Sequence, residues 1–306
     1  EEASGVKYVP PELFEIWGKK DPLANFEHYL IEEKVLTATS VEMIREGFKV
    51  YIEQNLERGF AAPPVLPNTK EELQDVYAPI VTSASTTTDS SAKSEMKFIQ
   101  AISNAMDLAM QQHSNLVLMG QDIAEYGGAF KATEGFVEKY GKARVRNTPL
   151  CESAIVGTAL GLSIKGFKSM MEMQFSDFVT VGFNQIINNL AKIHYRWGQT
   201  ADVVIRMPSG GGVGAGPFHS QTIEAWFTHT PGLKVVYPST PEDAKGLLLA
   251  AFADPNPVMY FEHKALYRSN SGQVPNDYYT IEIGKANTVQ HGEDISIITY
   301  GMGVHW

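Results

Sequence analysis

The sequence predicts an α/β fold: a doubly wound, mainly parallel sheet preceded by a small α-helical segment. Three observations point there. Beyond residue 96, short apolar runs alternate with helix-patterned stretches, as strands joined by crossover helices do. Before residue 78, the periodic segments read as short helices. Between the two lies Thr82-Ser83-Ala84-Ser85-Thr86-Thr87-Thr88-Asp89-Ser90-Ser91-Ala92, almost all Ser, Thr and Ala. That run has little to bury and reads as a flexible linker.

The elements follow in order. Asp21 to Lys34 has a helical pattern. Thr39-x-x-Glu42 is a candidate capping box, opening a helix whose Ile44, Phe48 and Tyr51 share one face. Asn68-Thr69 with Glu72 marks a third helix start. Three short helices with Pro-rich stretches make a poor independent core, so residues 1–77 read as the tail of a larger domain. The linker spans 78–95. In the main domain, 96–275, helices are expected over Ile99–Gln112, from Glu152, over Phe178–Tyr195, over Ile223–Thr228 and over Pro241–Phe252, the last with Pro at its start. In the long one, Phe183, Ile186, Ile187 and Leu190 face inward. Strands are expected at Leu116–Met119, Arg144–Arg146, Ser169–Met173, Asp202–Arg206, Leu233–Tyr237 and Val258–Phe261. Residues 276–306 read as a connector into a further α/β domain, because the strand-like Asp294–Tyr300 runs into a Gly turn and half a βα unit. A cut at both ends is the expectation.

Composition bounds the function. The 306 residues carry a net charge of −10, which argues against general nucleic-acid binding. Hydrophobic content of 43% and charged content of 20% fit a soluble globular protein. The single cysteine, Cys151, excludes an internal disulfide and a zinc-finger cluster and suits a reducing compartment. No run of about 18 apolar residues is present to span a membrane, and Glu1-Glu2-Ala3-Ser4-Gly5 does not start a signal peptide.

The most informative residue is Glu152. It follows the Pro-punctuated Asn147-Thr148-Pro149-Leu150-Cys151 and opens an apolar, small-residue-rich helix. A carboxylate there needs a partner. Backbone N–H groups at the helix start are one possibility; a group from outside the chain is the other. Gly210-Gly211-Gly212-Val213-Gly214-Ala215-Gly216 follows a strand but lacks a Gly-Lys-Ser/Thr ending and a cleanly placed Gly-x-Gly-x-x-Gly. A mobile loop beside a site fits it better than a phosphate cradle. His219 lies between this loop and the next helix, at the C-terminal side of a strand, where open α/β sheets bind ligands. No Gly-x-Ser-x-Gly elbow supports a hydrolase triad. Glu172 to Phe178 also lies at a strand end, with aromatics that are core residues by default.

These motifs carry a resemblance. Residues 96–306 resemble the β subunit of thiamine-diphosphate-dependent 2-oxoacid dehydrogenases, the decarboxylating first component of those complexes. The matching stretches are Met119-Gly120-Gln121-Asp122-Ile123-Ala124-Glu125-Tyr126-Gly127-Gly128, Thr148–Glu152, Phe218-His219-Ser220-Gln221, Pro231–Val236 and Glu242–Leu247. Residues 11–77 resemble the α subunit's C-terminal tail through Trp17–Pro22 and Leu73–Tyr77. The chain looks like a fused α–β polypeptide shortened at both ends.

The resemblance implies a site. Glu152 matches the glutamate that hydrogen-bonds the pyrimidine ring of thiamine diphosphate and drives acid–base catalysis through the cofactor. The Leu150 backbone, Gln174 and Phe178 match the pyrimidine pocket; relatives often carry Tyr at 178 and a carboxylate where Gln121 stands. His219 matches the histidine implicated in acyl transfer to the lipoyl arm. Asp254 and Asn256, with the carbonyls of Val203, Val204 and Ala251, match a structural potassium site, for which an ordinary Asx turn is the bland alternative. The diphosphate and its magnesium are held in this family by the α-type domain through a Gly-Asp-Gly motif absent here. The chain alone is therefore expected to be inactive.

The implied partners are a 2-oxoacid, a lipoyl-bearing acyltransferase, an α-type domain and a second copy in a homodimer; the implied location is a bacterial cytoplasm rather than a mitochondrial matrix. Gln174–Asp177 and Phe261–Arg268 look closer to the branched-chain enzymes, with 3-methyl-2-oxobutanoate as substrate, than to pyruvate dehydrogenase. A transketolase-like enzyme and a non-catalytic dimerisation module are the other readings.

Overall fold

The computed structural model describes residues 8–80 and 92–306. The chain divides into two compact units, one ending at Pro67 and one beginning at Asn68.

The first unit holds helices α1 (Pro11–Gly18), α2 (Pro22–Glu32) and α3 (Ala38–Ala61). Local chemistry sets their starts. Asp21 accepts the N–H groups of Leu23 and Ala24 at 2.7 and 3.0 Å, ahead of a Pro at the first helical position. The capping box of α3 is formed by Thr37 and Ser40, whose hydroxyls reciprocally accept each other's N–H at 3.1 and 2.8 Å. The expected Thr39–Glu42 pair found the right helix two residues late, because Ser40 can fill the role usually taken by Glu. Val41 is the one buried residue among the described residues of this unit, and Trp17, Phe26, Phe48 and Phe60 are all exposed.

The second unit begins with α4 (Thr69–Gln74), capped by Asn68 as its sequence predicts. It continues with β1 (Lys93–Lys97), α5 (Phe98–Gln112), β2 (Leu116–Gly120), α6 (Phe136–Tyr140), β3 (Val145–Asn147), α7 (Glu152–Ile164), β4 (Lys168–Glu172), α8 (Ala191–Trp197), β5 (Val203–Ser209), α9 (Ala225–Thr228), β6 (Lys234–Val236), α10 (Pro241–Ala253), β7 (Val258–His263), α11 (Leu266–Ser269) and β8 (Ser271–Pro275). Six strands form one parallel sheet in the order β3-β2-β4-β5-β7-β6. Strand residues alternate between two cores. Leu116, Leu118, Met170, Val204 and Tyr260 face α5 and α10; Val117, Met119, Met171, Val203, Ile205 and Phe261 face α7 and the segment before α8. Both sheet faces are thus buried, which suits the largely apolar central strands. The expected α/β class holds.

Three local expectations fail. The helix foreseen over Phe178–Tyr195 is broken into a 3-10 segment (Ser176–Gly182), a π-helical turn (Gln185–Leu190) and α8. The break follows from packing: a Cβ at Gly182 would lie 3.2 Å from Val156 Cγ2 and 3.5 Å from the Glu152 carbonyl, so the segment bends closely over the start of α7. Asp294–Tyr300 forms no strand; Ile295, Ile297 and Ile298 are exposed and no described neighbour supplies ladder hydrogen bonds. Lys93–Lys97, partly assigned to the linker, pairs antiparallel with β8. Most of the Ser/Thr-rich run lies outside the described residues, and at its other margin Ala78 is buried.

Candidate active site at the C-terminal strand ends

Parallel register sets the ends of β2 and β4, Gly120 and Glu172, level with Arg206 and Tyr260 midway along β5 and β7. The loops leaving these ends carry most of the residues singled out in the sequence. Gln121 follows β2 directly. Thr148 donates its N–H to the Gly120 carbonyl at 2.9 Å, bringing the 148–151 segment back to that strand end and Glu152 to the first turn of α7.

Glu152 is half-buried. Gln121 Nε2 donates to its Oε1 at 3.0 Å, and among the described residues it forms no ion pair. The Gln121 carbonyl oxygen is buried without a hydrogen-bond partner. The sequence departure at 121 therefore sets a neutral donor, not a second carboxylate, against Glu152. The helix N-terminus adds positive potential. The result is a carboxylate with one oxygen uncommitted, a fit for an external N–H group such as a protonated ring nitrogen.

The expected pocket residues split into two groups. Leu150 is exposed, and Gln174 is tied by a 3.3 Å bond to Asp122, a residue in the left-handed region at φ 58°. Phe178 joins an aromatic cluster: its ring lies 5.8 Å from Phe175 and 5.5 Å from His219, and Phe175 and His219 meet edge-on at 4.7 Å. His219 closes a short 3-10 turn after the Gly-rich loop. That loop leaves β5 through Gly210 (φ 81°), where a Cβ would run into the His263 imidazole, so only glycine serves there.

Beneath lies a network that sequence reasoning missed. Arg206, fully buried at the heart of the sheet, pairs with Glu172 on β4 and with both oxygens of Glu262 on β7. Tyr267 donates to Glu262 at 2.6 Å. Burial pushes the Glu172 carboxyl up, Arg206 pulls it down and Glu262 pushes it up again. A charge next to a run of apolar strand residues, at Glu172, Arg206 and Glu262 alike, was the available signal. Lys264, just after β7, is 3% exposed and its ammonium has no hydrogen-bond partner among the described residues.

Of the five residues matched to a potassium site, Ala251, Asp254 and Asn256 share hydrogen bonds at one turn. Val203 and Val204 lie in β5, and the Ala251 carbonyl accepts the Asp254 N–H. Asp254 pairs with Lys234 at 2.5 Å and accepts the Asn256 side-chain and backbone N–H groups at 2.8 and 2.9 Å. The Asn256 amide accepts from Ala78 N–H at 2.7 Å and donates to the Ala78 carbonyl at 3.0 Å. Lys234 already matches the Asp254 charge in this arrangement. Among the described residues, no group of three or more His, Cys, Asp or Glu side chains is placed to hold a metal ion. No helix there is long and apolar enough to cross a membrane.

The family model for the transketolase pyrimidine-binding domain matches residues 94–270. The 2-oxoisovalerate dehydrogenase subunit beta of Bacillus subtilis (strain 168) is 48% identical over 217 residues, 70% of this chain and 66% of that protein. The mitochondrial 2-oxoisovalerate dehydrogenase subunit beta of Dictyostelium discoideum is 48% identical over 68% of this chain and 57% of its own length. The pyruvate dehydrogenase E1 component subunit beta of Bacillus subtilis (strain 168) is 46% identical over 69% of this chain and 66% of its own. The chain thus spans just under two thirds of these relatives at most.

Proposed function

This chain belongs to the transketolase pyrimidine-binding domain family, and on that premise we propose that it supplies the pyrimidine half of the active site of a 2-oxoacid dehydrogenase, the decarboxylating first component. The observation that carries the proposal is Glu152: a half-buried carboxylate at a helix start, held by one neutral amide and facing no cation among the described residues. Thiamine diphosphate, when bound, supplies a nucleophilic carbon and an electron sink for decarboxylation. Glu152 holds and shares the proton of the pyrimidine nitrogen, and Gln121 keeps the carboxylate oriented. The Leu150 backbone, Gln174 and Phe178 line the ring. His219 serves the acyl transfer that follows, to a lipoyl group on a partner acyltransferase. An α-type domain holds the diphosphate and magnesium, so the working enzyme contains at least two copies of each half, and this chain alone is inactive.

Within that reaction we favour a branched-chain 2-oxoacid such as 3-methyl-2-oxobutanoate. Identities of 48% and 46% to the two kinds of β subunit differ little, so the preference rests on residues 174–177 and 261–268. The test is the specificity constant of the full-length enzyme on 3-methyl-2-oxobutanoate and on pyruvate. The branched substrate is expected to have the higher kcat/KM; a higher value for pyruvate overturns the choice.

A further inference from the structure

We infer that Asp177 is the positioning residue for His219, an inference that rests on the acyl-transfer role just proposed for that histidine. Asp177 is 8% exposed and sits in the 3-10 segment between Phe175 and Phe178, the two rings that flank the His219 imidazole. Its Oδ1 accepts two backbone N–H groups, from Ser220 and Gln221, each at 3.1 Å. These residues directly follow His219.

The loop has few other anchors. The Gln221 carbonyl accepts from Gly210 N–H at 3.0 Å and from the Ser209 hydroxyl at 3.2 Å, closing the base of the 210–221 excursion on β5. His219 donates its own N–H to Gly216 within the loop at 3.3 Å, and among the described residues its ring is held by edge-on aromatic contacts. Such contacts are weak and broad in geometry, whereas two N–H groups on one buried carboxylate oxygen are charge-assisted and directional. The segment after β4 therefore fixes the histidine twice, by its rings from the side and by Asp177 from behind.

The Lys264 ammonium lies 5.5 Å from the centroid of the Phe175 ring, and Asp177 acts on it electrostatically.

In the step served, a carbon–sulfur bond would form to one lipoyl sulfur as the S–S bond breaks, and the acyl carbon would then part from the cofactor carbon as its hydroxyl gives up a proton. The electron pair left by loss of CO2 reduces the disulfide, and the second sulfur takes a proton. A displaced His219 impairs this transfer more than decarboxylation itself. The full-length enzyme separates the two: decarboxylation is read with an artificial electron-accepting dye and transfer with a free lipoyl domain. Asp177→Ala should lower the ratio of transfer to dye-coupled decarboxylation about 10- to 100-fold, the scale of a misplaced group. Asp177→Asn, which keeps an acceptor oxygen, should lower it about 3- to 10-fold. It carries the test if the alanine variant does not fold. In a His219→Ala background the Asp177 substitutions should leave the ratio where His219→Ala alone puts it. Equal losses in both half-reactions, or an unchanged effect without His219, overturn the inference. A wild-type enzyme that performs neither half-reaction overturns instead the reading on which it rests.

Discussion

Lys264 and Arg206 are both buried cations, yet only Arg206 meets carboxylates directly. Burial pushes the Lys264 ammonium down to about 8, with Asp177 pulling it back up. A lysine with a depressed folded value releases its proton first in the folded state. The folded chain then gains on the unfolded one as pH rises from about 8 towards the ordinary value of 10.5. Melting curves of wild type and Lys264→Met across that window test the sign: the wild type should gain on the variant as pH rises, and a constant difference contradicts it. Residue-scale legibility was uneven. Glu152 stood out because a charge opening an apolar helix has no local explanation. His219 stood out by its place after a Gly-rich loop. Lys264 and Asp177 sit among other polar residues in the sequence, and only the fold shows that they are buried and near one another.

At the scale of elements, the strand ends are joined by the Glu172–Arg206–Glu262 network across β4, β5 and β7. The charges balance to one negative in a site without water access, so removal of the cation strands two carboxylates. Arg206→Met is expected to cost about 3–5 kcal/mol of unfolding free energy, since breaking a buried pair costs more than the pair contributes. Chemical denaturation of the folded variant measures it, and a loss below about 1 kcal/mol, the value of an exposed pair, contradicts it. The six main strands were legible because both faces of the sheet are covered and most strands carry a short apolar run. The 178–195 segment was not, because its periodicity is helical while close packing of Gly182 on α7 imposes tighter and looser turns. Asp294–Tyr300 has strand composition without a partner strand among the described residues, and composition cannot provide one.

At the scale of the molecule, the helical unit keeps its aromatic residues exposed while the sheet unit buries two full cores. The sheet unit also holds the chain just before residues 81–91: Tyr77 donates to the Leu233 carbonyl at 3.2 Å and Ala78 pairs with the Asn256 amide. This use of Asn256 was invisible in the sequence, since the contact joins residues 178 positions apart. The fold class was legible, because it follows from the strand–helix alternation. What the site holds rests on Glu152. The most direct test is calorimetric titration of thiamine diphosphate with magnesium into the full-length protein, wild type and Glu152→Ala. The account predicts tight binding to the wild type and binding weaker by about 10- to 100-fold in the variant, the worth of one charge-assisted hydrogen bond; equal affinity in the two proteins contradicts it.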